Sequence, residues 1–441
     1  MSAEVDPPGP EVRRRGESGM TANPPGEGDP FVLLHVGDLH LTTPEAASAR
    51  DLDAILARIA GLPRAAFDFA YLPGDIAEDG TQAQYAILRA ALARHPDLPV
   101  RLIPGDHDRQ HGTIAAFDAL FAEIAGSPRG GGHRAVPHRL PRPEVEKEVR
   151  HFCYAETVAG VRCLFVDMVS PGYGRKGVGL DFRIGAPQMA WLAGEIAEAA
   201  AGDRPCAVFL HAYPDDLRPP QERLDLAGLL WDGRVRLVEM GHTHYNELAH
   251  DGRTLYAAAR SVGQNEDGSV GYAVAAIDGP VTSWRFRPLD RTAPFVLVTS
   301  PADRRLATRP STEAAAGLVR DAQGRIRVRA LVLSDREPAL CRCRADHGPW
   351  TAMTRVSARI FEGRLPWPAG SRVLRVEAAD PRWPGHGPDF VDADAIEPPA
   401  AAGDAPAIPE RPGSDTFRIG VWPGKGVRGD QLGPNRAGRQ W

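Results

Sequence analysis

Five short polar segments, each directly after an apolar run, constrain this 441-residue chain more than any other feature. The segments are Asp38-Leu39-His40, Gly74-Asp75, Gly105-Asp106-His107-Asp108, His211 and Gly241-His242-Thr243-His244. A short apolar run that stops at a polar or glycine residue is typical of a buried strand that ends in a loop. We therefore expect the aspartates and histidines of the five segments to lie at strand ends, where the fold can bring them to one place.

Carboxylates mixed with imidazoles predict a metal centre. Together these groups suit Mn, Fe or Zn, and the absence of cysteine among them argues against a structural zinc site. In an extended segment, alternate side chains share a face, so His242 and His244 point the same way. Singly, each segment also has a purely structural explanation: Asp38 can end a strand, Gly74-Asp75 can form a turn, and His211 can be a core histidine. The ordered set favours the metal centre.

Over roughly residues 31–290, the order of these segments resembles the calcineurin-like metallophosphoesterase superfamily. The resemblance implies two divalent metal ions, of Mn, Fe or Zn, that share Asp75. It places the first ion among Asp38, His40, Asp75 and His244. It places the second ion among Asp75, Asp106, His211 and His242. It also implies that His107 is not a ligand and faces the substrate.

The chemistry that this resemblance implies is phosphoester hydrolysis by a metal-bridging hydroxide. Two cations about 3.5–4 Å apart neutralise the phosphate charge, align the attacking and leaving oxygens, and lower the pKa of bound water. His107 can then protonate the departing oxygen. Glu78 is expected to orient His107, because a carboxylate fixes the tautomer of an imidazole; a solvated loop charge is the alternative for Glu78.

Details of the motifs bear on the substrate. Glu78 stands where purple acid phosphatases have tyrosine, and Glu78-Asp79-Gly80 stands where protein serine/threonine phosphatases have Asp-Arg-Gly. The stretch from Gly74 to Gly80, with Tyr85 and the segment leading to Gly105, resembles bacterial class III cyclic-nucleotide phosphodiesterases. The resemblance implies a phosphodiester substrate, with 3',5'-cyclic AMP as the named candidate. A phosphomonoesterase of the same superfamily and a metal-binding scaffold without turnover are the alternatives.

Asp106 departs from the family pattern, which usually has asparagine at this position. The carboxylate adds a negative charge beside the second metal and removes an amide donor that could contact the substrate. We expect tighter metal binding, a preference for a harder or more charged ion, or weaker attraction for a dianionic phosphate. This departure is what keeps the scaffold alternative open.

Composition excludes nucleic acid and membrane as partners, which leaves the small phosphoester substrate that the resemblance implies. The net charge of −5 gives no basic surface for nucleic acid, and no apolar run approaches the ~18 residues of a membrane span. The cysteine count of five is odd and forms no repeated framework, which indicates reduced thiols and a cytoplasmic location. The sequence does not indicate an oligomeric state.

Alternating apolar and amphipathic segments predict an α/β fold, which the family resemblance makes a four-layer α-β-β-α sandwich. Strands are expected at 31–38, 67–72, 100–103, 161–169, 207–210 and 235–240. Helices are expected at 45–59, 82–94, 113–124 and from Pro187. An irregular insertion is expected at 127–150. Three antiparallel strands, at 254–259, 271–277 and 281–286, are expected to close a second sheet.

Four parts of the chain follow from these patterns. A disordered leader spans 1–30, the metallophosphoesterase domain spans 31–290, and short regular strands predict an immunoglobulin-like, all-β domain at 291–392. Residues 393–441 are expected to form a Pro-rich linker and a Gly/Arg-rich tail that docks onto the body.

Overall fold

The computed structural model describes residues 28–112, 114–127, 137–141, 150–169, 182–233, 235–251, 254–265, 268–291, 294–306, 317–318, 320–380, 391–399, 417–418, 425 and 427. The helices are α1 (Ala47–Ala60), α2 (Gln82–Ala93), α3 (Ala115–Gly126), α4 (Gly185–Ala201) and α5 (Pro220–Asp232). The first twelve strands are β1 (Phe31–His35), β2 (Phe69–Leu72), β3 (Val100–Leu102), β4 (His138–Pro141), β5 (Arg150–Val158), β6 (Val161–Phe165), β7 (Cys206–Phe209), β8 (Leu237–Met240), β9 (Glu247–His250), β10 (Leu255–Ala258), β11 (Gly271–Asp278) and β12 (Val281–Pro288). The later strands are β13 (Phe295–Ser300), β14 (Arg325–Leu333), β15 (Leu340–Ala345), β16 (Thr351–Ala352), β17 (Thr354–Arg355), β18 (Ile360–Pro366), β19 (Leu374–Ala379), β20 (Val391–Ile396) and β21 (Phe417–Arg418).

Two mixed sheets contain every strand up to β12. The first has the order β12-β11-β1-β2-β3, with β1, β2 and β3 parallel. The second has the order β21-β9-β10-β8-β7-β6-β5-β4, with β6, β7, β8 and β10 parallel. Strand β1 is buried along its whole length, as expected for a parallel strand covered on both faces. In such sheets, ligands bind beyond the carboxyl ends of the parallel strands.

The two sheets pack against each other through aromatic side chains. Phe69 of β2 lies 6.1 Å from the ring of Phe165 and 5.8 Å from that of Phe209, both in the second sheet. Alternate residues of those strands, such as Leu164 and Val208, share a separate core with α4 and α5. Helices α1, α2 and α3 share the core of the first sheet. The mixed sheets and their helical layers agree with the predicted fold class.

One expectation about strand pairing is wrong. Strand β10 lies in the second sheet, parallel to β8, whereas β11 and β12 belong to the first sheet. The three strands therefore do not close one sheet together. The reason is that β11 pairs along the whole of the apolar strand β1, from Phe31 to His35, which a local pattern cannot reveal.

The predicted irregular insertion at 127–150 is also partly wrong. Residues 138–141 form β4, which pairs with β5. Sequence analysis missed β5 because buried polar residues, His151 and Glu156, interrupt its apolar run. Helix α5 and strand β9 were missed as well. The parts of the insertion at 128–136 and 142–149 lie outside the described residues.

The C-terminal strands form two antiparallel sheets around one core. Their orders are β13-β14-β18-β17 and β16-β15-β19-β20. Apolar residues of both sheets, for example Val328 and Val376, are fully buried in that core. The pairing agrees with an all-β unit, and the immunoglobulin-like connectivity stays a prediction.

Ion pairs join this C-terminal unit to the first sheet. They are Arg285–Asp392 at 2.6 Å, Arg329–Asp278 at 2.8 Å and Arg359–Asp68 at 3.1 Å. Asp68 precedes β2, whereas Asp75 follows its carboxyl end. The Arg359–Asp68 contact is therefore at the opposite end of that strand from the predicted site.

The predicted start of the linker at 393 is wrong, because β20 continues to Ile396 and pairs with β19. Sequence analysis missed β20 because Asp392 and Asp394 stand at positions where a strand pattern would have apolar residues. Asp392 pairs with Arg285, and the ammonium group of Lys425 lies 2.7 Å from Asp394.

Short described pieces of the C-terminal region contact the body. Lys425 and Val427 are buried, and β21 pairs with β9. The leader up to residue 27 and most of the linker and tail lie outside the described residues, so docking of the whole tail stays a prediction. All five cysteines are buried, free thiols. Among the described helices, none has the length and apolar character that a membrane crossing requires.

Candidate metal centre

The loops after β1 and β2 run side by side. The amides of Leu39 and His40 both donate to the carbonyl of Asp75, at 3.0 and 2.8 Å, and the Glu78 amide donates to the carbonyl of Leu41 at 3.1 Å. These main-chain hydrogen bonds continue the pairing of the two strands beyond the sheet. They bring the first two polar segments into contact.

Four of the predicted ligands have a left-handed backbone. The φ angles of His40, Asp75, His242 and His244 are 43°, 48°, 65° and 66°. Non-glycine residues rarely adopt such angles, at a cost of about 1–3 kcal/mol each, and they cluster at functional sites. The strain aims these side chains away from the paths that regular strands would give them.

Asp38, His40, Asp75 and His244 form the first group, whose candidate ligand atoms all lie within 4.8 Å of one another. His40 Nε2 is 3.0 Å from His244 Nε2 and 3.7 Å from Asp75 Oδ2. His244 Nε2 is 3.7 Å from Asp38 Oδ2. Ligands bound at about 2.0–2.2 Å around one ion are separated by distances of this size.

Asp75, Asp106, His211 and His242 form the second group. His211 Nε2 is 3.0 Å from Asp106 Oδ1 and 3.4 Å from Asp75 Oδ2, and His242 Nδ1 is 3.4 Å from Asp106 Oδ1. Asp75 Oδ2 thus faces both groups, while Asp75 Oδ1 accepts a hydrogen bond from the amide of His107 at 2.9 Å. One carboxylate can therefore bridge two ions.

Hydrogen bonds at the imidazole nitrogens that face away from the centre leave the inner nitrogens available to bind metal ions. His211 Nδ1 donates to the carbonyl of Pro73 at 2.8 Å, so its Nε2 carries the lone pair in the neutral ring. Asp38 is fully buried, yet its Oδ1 accepts no hydrogen bond from the described residues. A buried carboxylate oxygen without a donor requires a cation or water to compensate its burial.

The charges in the site favour positive ions. Burial lowers the pKa of His211, but Asp75 and Asp106 outweigh it and raise that pKa well above the ordinary value. Burial also raises the pKa of Asp106, but hydrogen bonds with His211 and His242 hold it well below its usual range. For His244, burial prevails and lowers the pKa. The carboxylates thus attract protons to neighbouring rings, and a metal ion would satisfy the same negative charge.

Glu78 contacts both His40 and His107, but not as the sequence predicted. The Glu78 carboxylate Oε2 lies 2.9 Å from His40 Nδ1 and accepts a hydrogen bond from Gln264 Nε2 at 3.1 Å. Its Oε1 is 3.7 Å from His107 Nδ1, which instead donates to the main-chain carbonyl of Glu78 at 2.7 Å. The expectation that the carboxylate orients His107 is therefore wrong, because the closer carbonyl takes that hydrogen bond.

Electrostatics match these partners. Burial lowers the pKa of His107, but the charge of Asp75 and the hydrogen bond to the Glu78 carbonyl raise it above the ordinary value overall. The hydrogen bond with His40 lowers the pKa of Glu78, so Glu78 is ionised at neutral pH.

Sequence analysis quoted Asp108 without giving it a role. Its buried carboxylate accepts hydrogen bonds from the Gly105 amide at 2.9 Å, the Tyr85 hydroxyl at 2.7 Å and two amides of the loop after β2. Burial, with the charge of Asp75, raises the pKa of Asp108 to about 6. The segment Gly105-Asp106-His107-Asp108 could have indicated a role for Asp108, whereas Gln264 belongs to no motif.

Comparisons with known proteins give one family match and several similar solved structures. Residues 31–246 match the family model described as calcineurin-like phosphoesterase. No curated protein matches the sequence. Among solved structures, the chain is similar to a dimetal phosphatase from Danio rerio, with 14% identity, a TM-score of 0.41, and coverage of 59% of this chain and 97% of that one.

Two further solved structures are similar at lower coverage of their own length. A purple acid phosphatase from yellow lupin (Lupinus luteus) has 12% identity and a TM-score of 0.40, over 61% of this chain and 53% of that one. An NAD nucleotidase from Haemophilus influenzae has 12% identity and a TM-score of 0.36, over 58% of this chain and 55% of that one.

Proposed function

We propose that this chain, whose residues 31–246 match the family model described as calcineurin-like phosphoesterase, hydrolyses a phosphodiester at a centre of two divalent metal ions. The observation that carries this proposal is the sharing of Asp75 between two groups of four candidate ligands. The two groups, with seven different residues, make a binuclear centre the simplest use of the arrangement.

The proposed ligands of the first ion are Asp38, His40, Asp75 and His244. Those of the second ion are Asp75, Asp106, His211 and His242. Bound divalent ions would neutralise the charge of the phosphate and activate water as the nucleophile. Mn, Fe and Zn all suit a set of carboxylates and imidazoles, so the identity of the metal is left to measurement.

His107 is the proposed general acid. Its Nδ1–H is held by the Glu78 carbonyl, which leaves Nε2 to give a proton to the departing oxygen. The side chain is 24% exposed and can therefore meet a substrate. Its raised pKa favours the protonated ring, which is the form that an acid needs.

Charge at the centre favours a diester over a monoester. Three proposed ligands are carboxylates, so the sum with two divalent ions is +4 − 3 = +1. A neutral amide at position 106 would leave +2. The smaller charge attracts a dianionic monoester less strongly, whereas a diester carries one negative charge and depends less on this attraction. The motif resemblance supports 3',5'-cyclic AMP as the diester to test first.

The test is hydrolysis of bis-p-nitrophenyl phosphate and of p-nitrophenyl phosphate by Mn-reconstituted protein, followed by 3',5'-cyclic AMP. We expect Mn-dependent turnover of the diester that exceeds turnover of the monoester and is abolished in Asp75→Asn. Preferred hydrolysis of the monoester would replace the proposal with a phosphomonoesterase. Two bound ions without turnover of any of the three compounds would favour a metal-binding scaffold.

A further inference from the structure

We propose that Glu78 is a positioning residue that orients two imidazoles through two different groups. Its carboxylate holds His40, a proposed ligand of the first metal ion, and its main-chain carbonyl holds His107, the proposed acid. This inference rests on the proposed function, because it concerns how the same centre holds its metal and meets its substrate.

The structure fixes Glu78 on several sides. Its amide donates to Leu41, in the loop that carries His40. Gln264 donates to its carboxylate at 3.1 Å. Two residues later, Gly80 has a φ of 65°, and a Cβ there would lie 2.9 Å from the carbonyl oxygen of Asp108. The chain after Glu78 therefore passes directly against the segment that carries His107.

The carboxylate determines which nitrogen of His40 faces the centre. Because Nδ1–H of His40 bonds to Glu78 at 2.9 Å, the lone pair of the neutral ring is on Nε2. That atom lies 3.0 Å from His244 Nε2 and 3.7 Å from Asp75 Oδ2, inside the first group. A carboxylate behind a metal-binding histidine fixes its tautomer and raises its basicity, and removal of such a partner typically costs about 10–100-fold in metal affinity.

The carbonyl acts on His107 independently of the side chain. His107 Nδ1 donates to it at 2.7 Å, and every residue at position 78 retains a carbonyl there. A side-chain substitution at position 78 should therefore alter the tautomer of His40 and leave the tautomer of His107 unchanged. This separation distinguishes a positioning role from a general loss of local structure.

The experiment is calorimetric titration of metal-free protein with Mn, for the wild type, Glu78→Ala and Glu78→Gln. We expect Glu78→Ala to weaken one of the two ions by about 10–100-fold and to leave the other unchanged. Glu78→Gln retains an oxygen that can accept the hydrogen bond but not the charge, so we expect a smaller loss at the same ion.

Asp79→Asn is the matched control. It removes one negative charge from the adjacent residue, whose carboxylate accepts a hydrogen bond from Gln84 Nε2 at 2.8 Å. We expect both Mn affinities to stay as in the wild type. Equal losses in Glu78→Ala and Asp79→Asn would mean that overall charge acts, and would overturn the positioning role.

Nitrogen-15 NMR of histidine-labelled, metal-free protein tests the second half of the proposal. In Glu78→Ala, His107 should keep its Nδ1–H tautomer while His40 loses the preference for it. If Glu78→Ala changes neither the tautomer of His40 nor the Mn affinity, the inference is overturned. Failure of the proposed function would appear differently, as a wild-type protein that binds fewer than two ions or that binds two and hydrolyses no diester.

Discussion

The two groups of the site have the same chemical composition but are supported differently. Each group has two aspartates and two histidines, with Asp75 common to both. In the first group, the outer nitrogen of His40 meets the side chain of Glu78, whereas in the second that of His211 meets the main-chain carbonyl of Pro73. A side-chain support can be changed by one substitution, but a main-chain support cannot.

The groups also differ in exposure. In the first, His244 is 23% exposed, whereas Asp38 is fully buried and the His40 side chain is 1% exposed; in the second, Asp106 is 15% and His242 is 19% exposed. One member of the first group and two members of the second are therefore in reach of solvent. Substitutions at Asp75, in each group and at His107 can therefore separate what each group contributes to metal binding and to hydrolysis.

Asp75→Asn should have the largest effect, because it removes one negative charge from a ligand that the first and second groups share. We expect weakened binding of both ions and a loss of diester hydrolysis of more than roughly 10⁴-fold, since activated water is lost with them. Metal content after reconstitution with Mn, together with the hydrolysis rate, checks this. One tightly bound ion with full activity would contradict the proposal that the two groups bind two ions through Asp75.

His107→Ala should lower kcat by about 10²–10⁴-fold while both ions remain bound, because His107 belongs to neither group. The loss should shrink for a diester with a good leaving group, which needs little protonation. The measurements are kcat for leaving groups of different pKa and metal content of the variant. An equal loss for all leaving groups would assign His107 another role.

Much of the site was predictable because its signals are local. The seven predicted ligands follow five apolar strands, and the carboxyl ends of parallel strands meet at one edge of a sheet. The structure brings all seven together, although their role as ligands stays a proposal. The support of His40 was not predictable in this way, because Gln264 and Glu78 meet through contacts between loops distant in sequence.

The same distinction applies to the fold. The strands β2, β3 and β7 were expected within a few residues of their observed positions, because each has a clear apolar pattern. The assignment of β10 and β11 to different sheets depends on long-range pairing that local patterns do not encode. Strand β20 was missed because its aspartates are compensated by Arg285 and Lys425, which are far away in sequence.

Asp106→Asn tests whether the second group owes its metal affinity to the extra carboxylate. We expect weaker binding of one ion, because the substitution removes a negative charge from a proposed ligand of that ion. At saturating metal we expect equal or better use of diesters, because the amide can still ligate through oxygen and can donate to the phosphate. Metal titration and kcat/KM at saturation measure both effects. Unchanged metal binding with far slower turnover would mean that the carboxylate itself is required.

The last expected effect is the pH dependence of stabilisation by Mn. Burial opposes protonation of His211 and His242, yet the neighbouring carboxylates raise the pKa of both above the ordinary value of 6.5. In metal-free protein, protonation of these rings therefore contributes stability that is complete below about pH 6.5 and is lost as the pH rises through the raised pKa. Metal ions bind only the neutral rings, so each proton displaced should increase Mn affinity by about tenfold per pH unit up to that pKa.

The increase in melting temperature on addition of Mn should therefore be larger at pH 8.5 than at pH 6, with a gain in stability of about 1.4 kcal/mol for each tenfold gain in affinity. In Asp75→Asn the increase should be small at both values, because the shared ligand is lost. An equal increase at pH 6 and pH 8.5 in the wild type would mean that the bound metal displaces no protons. The carboxylates of the second group would then not hold His211 and His242 in the protonated form.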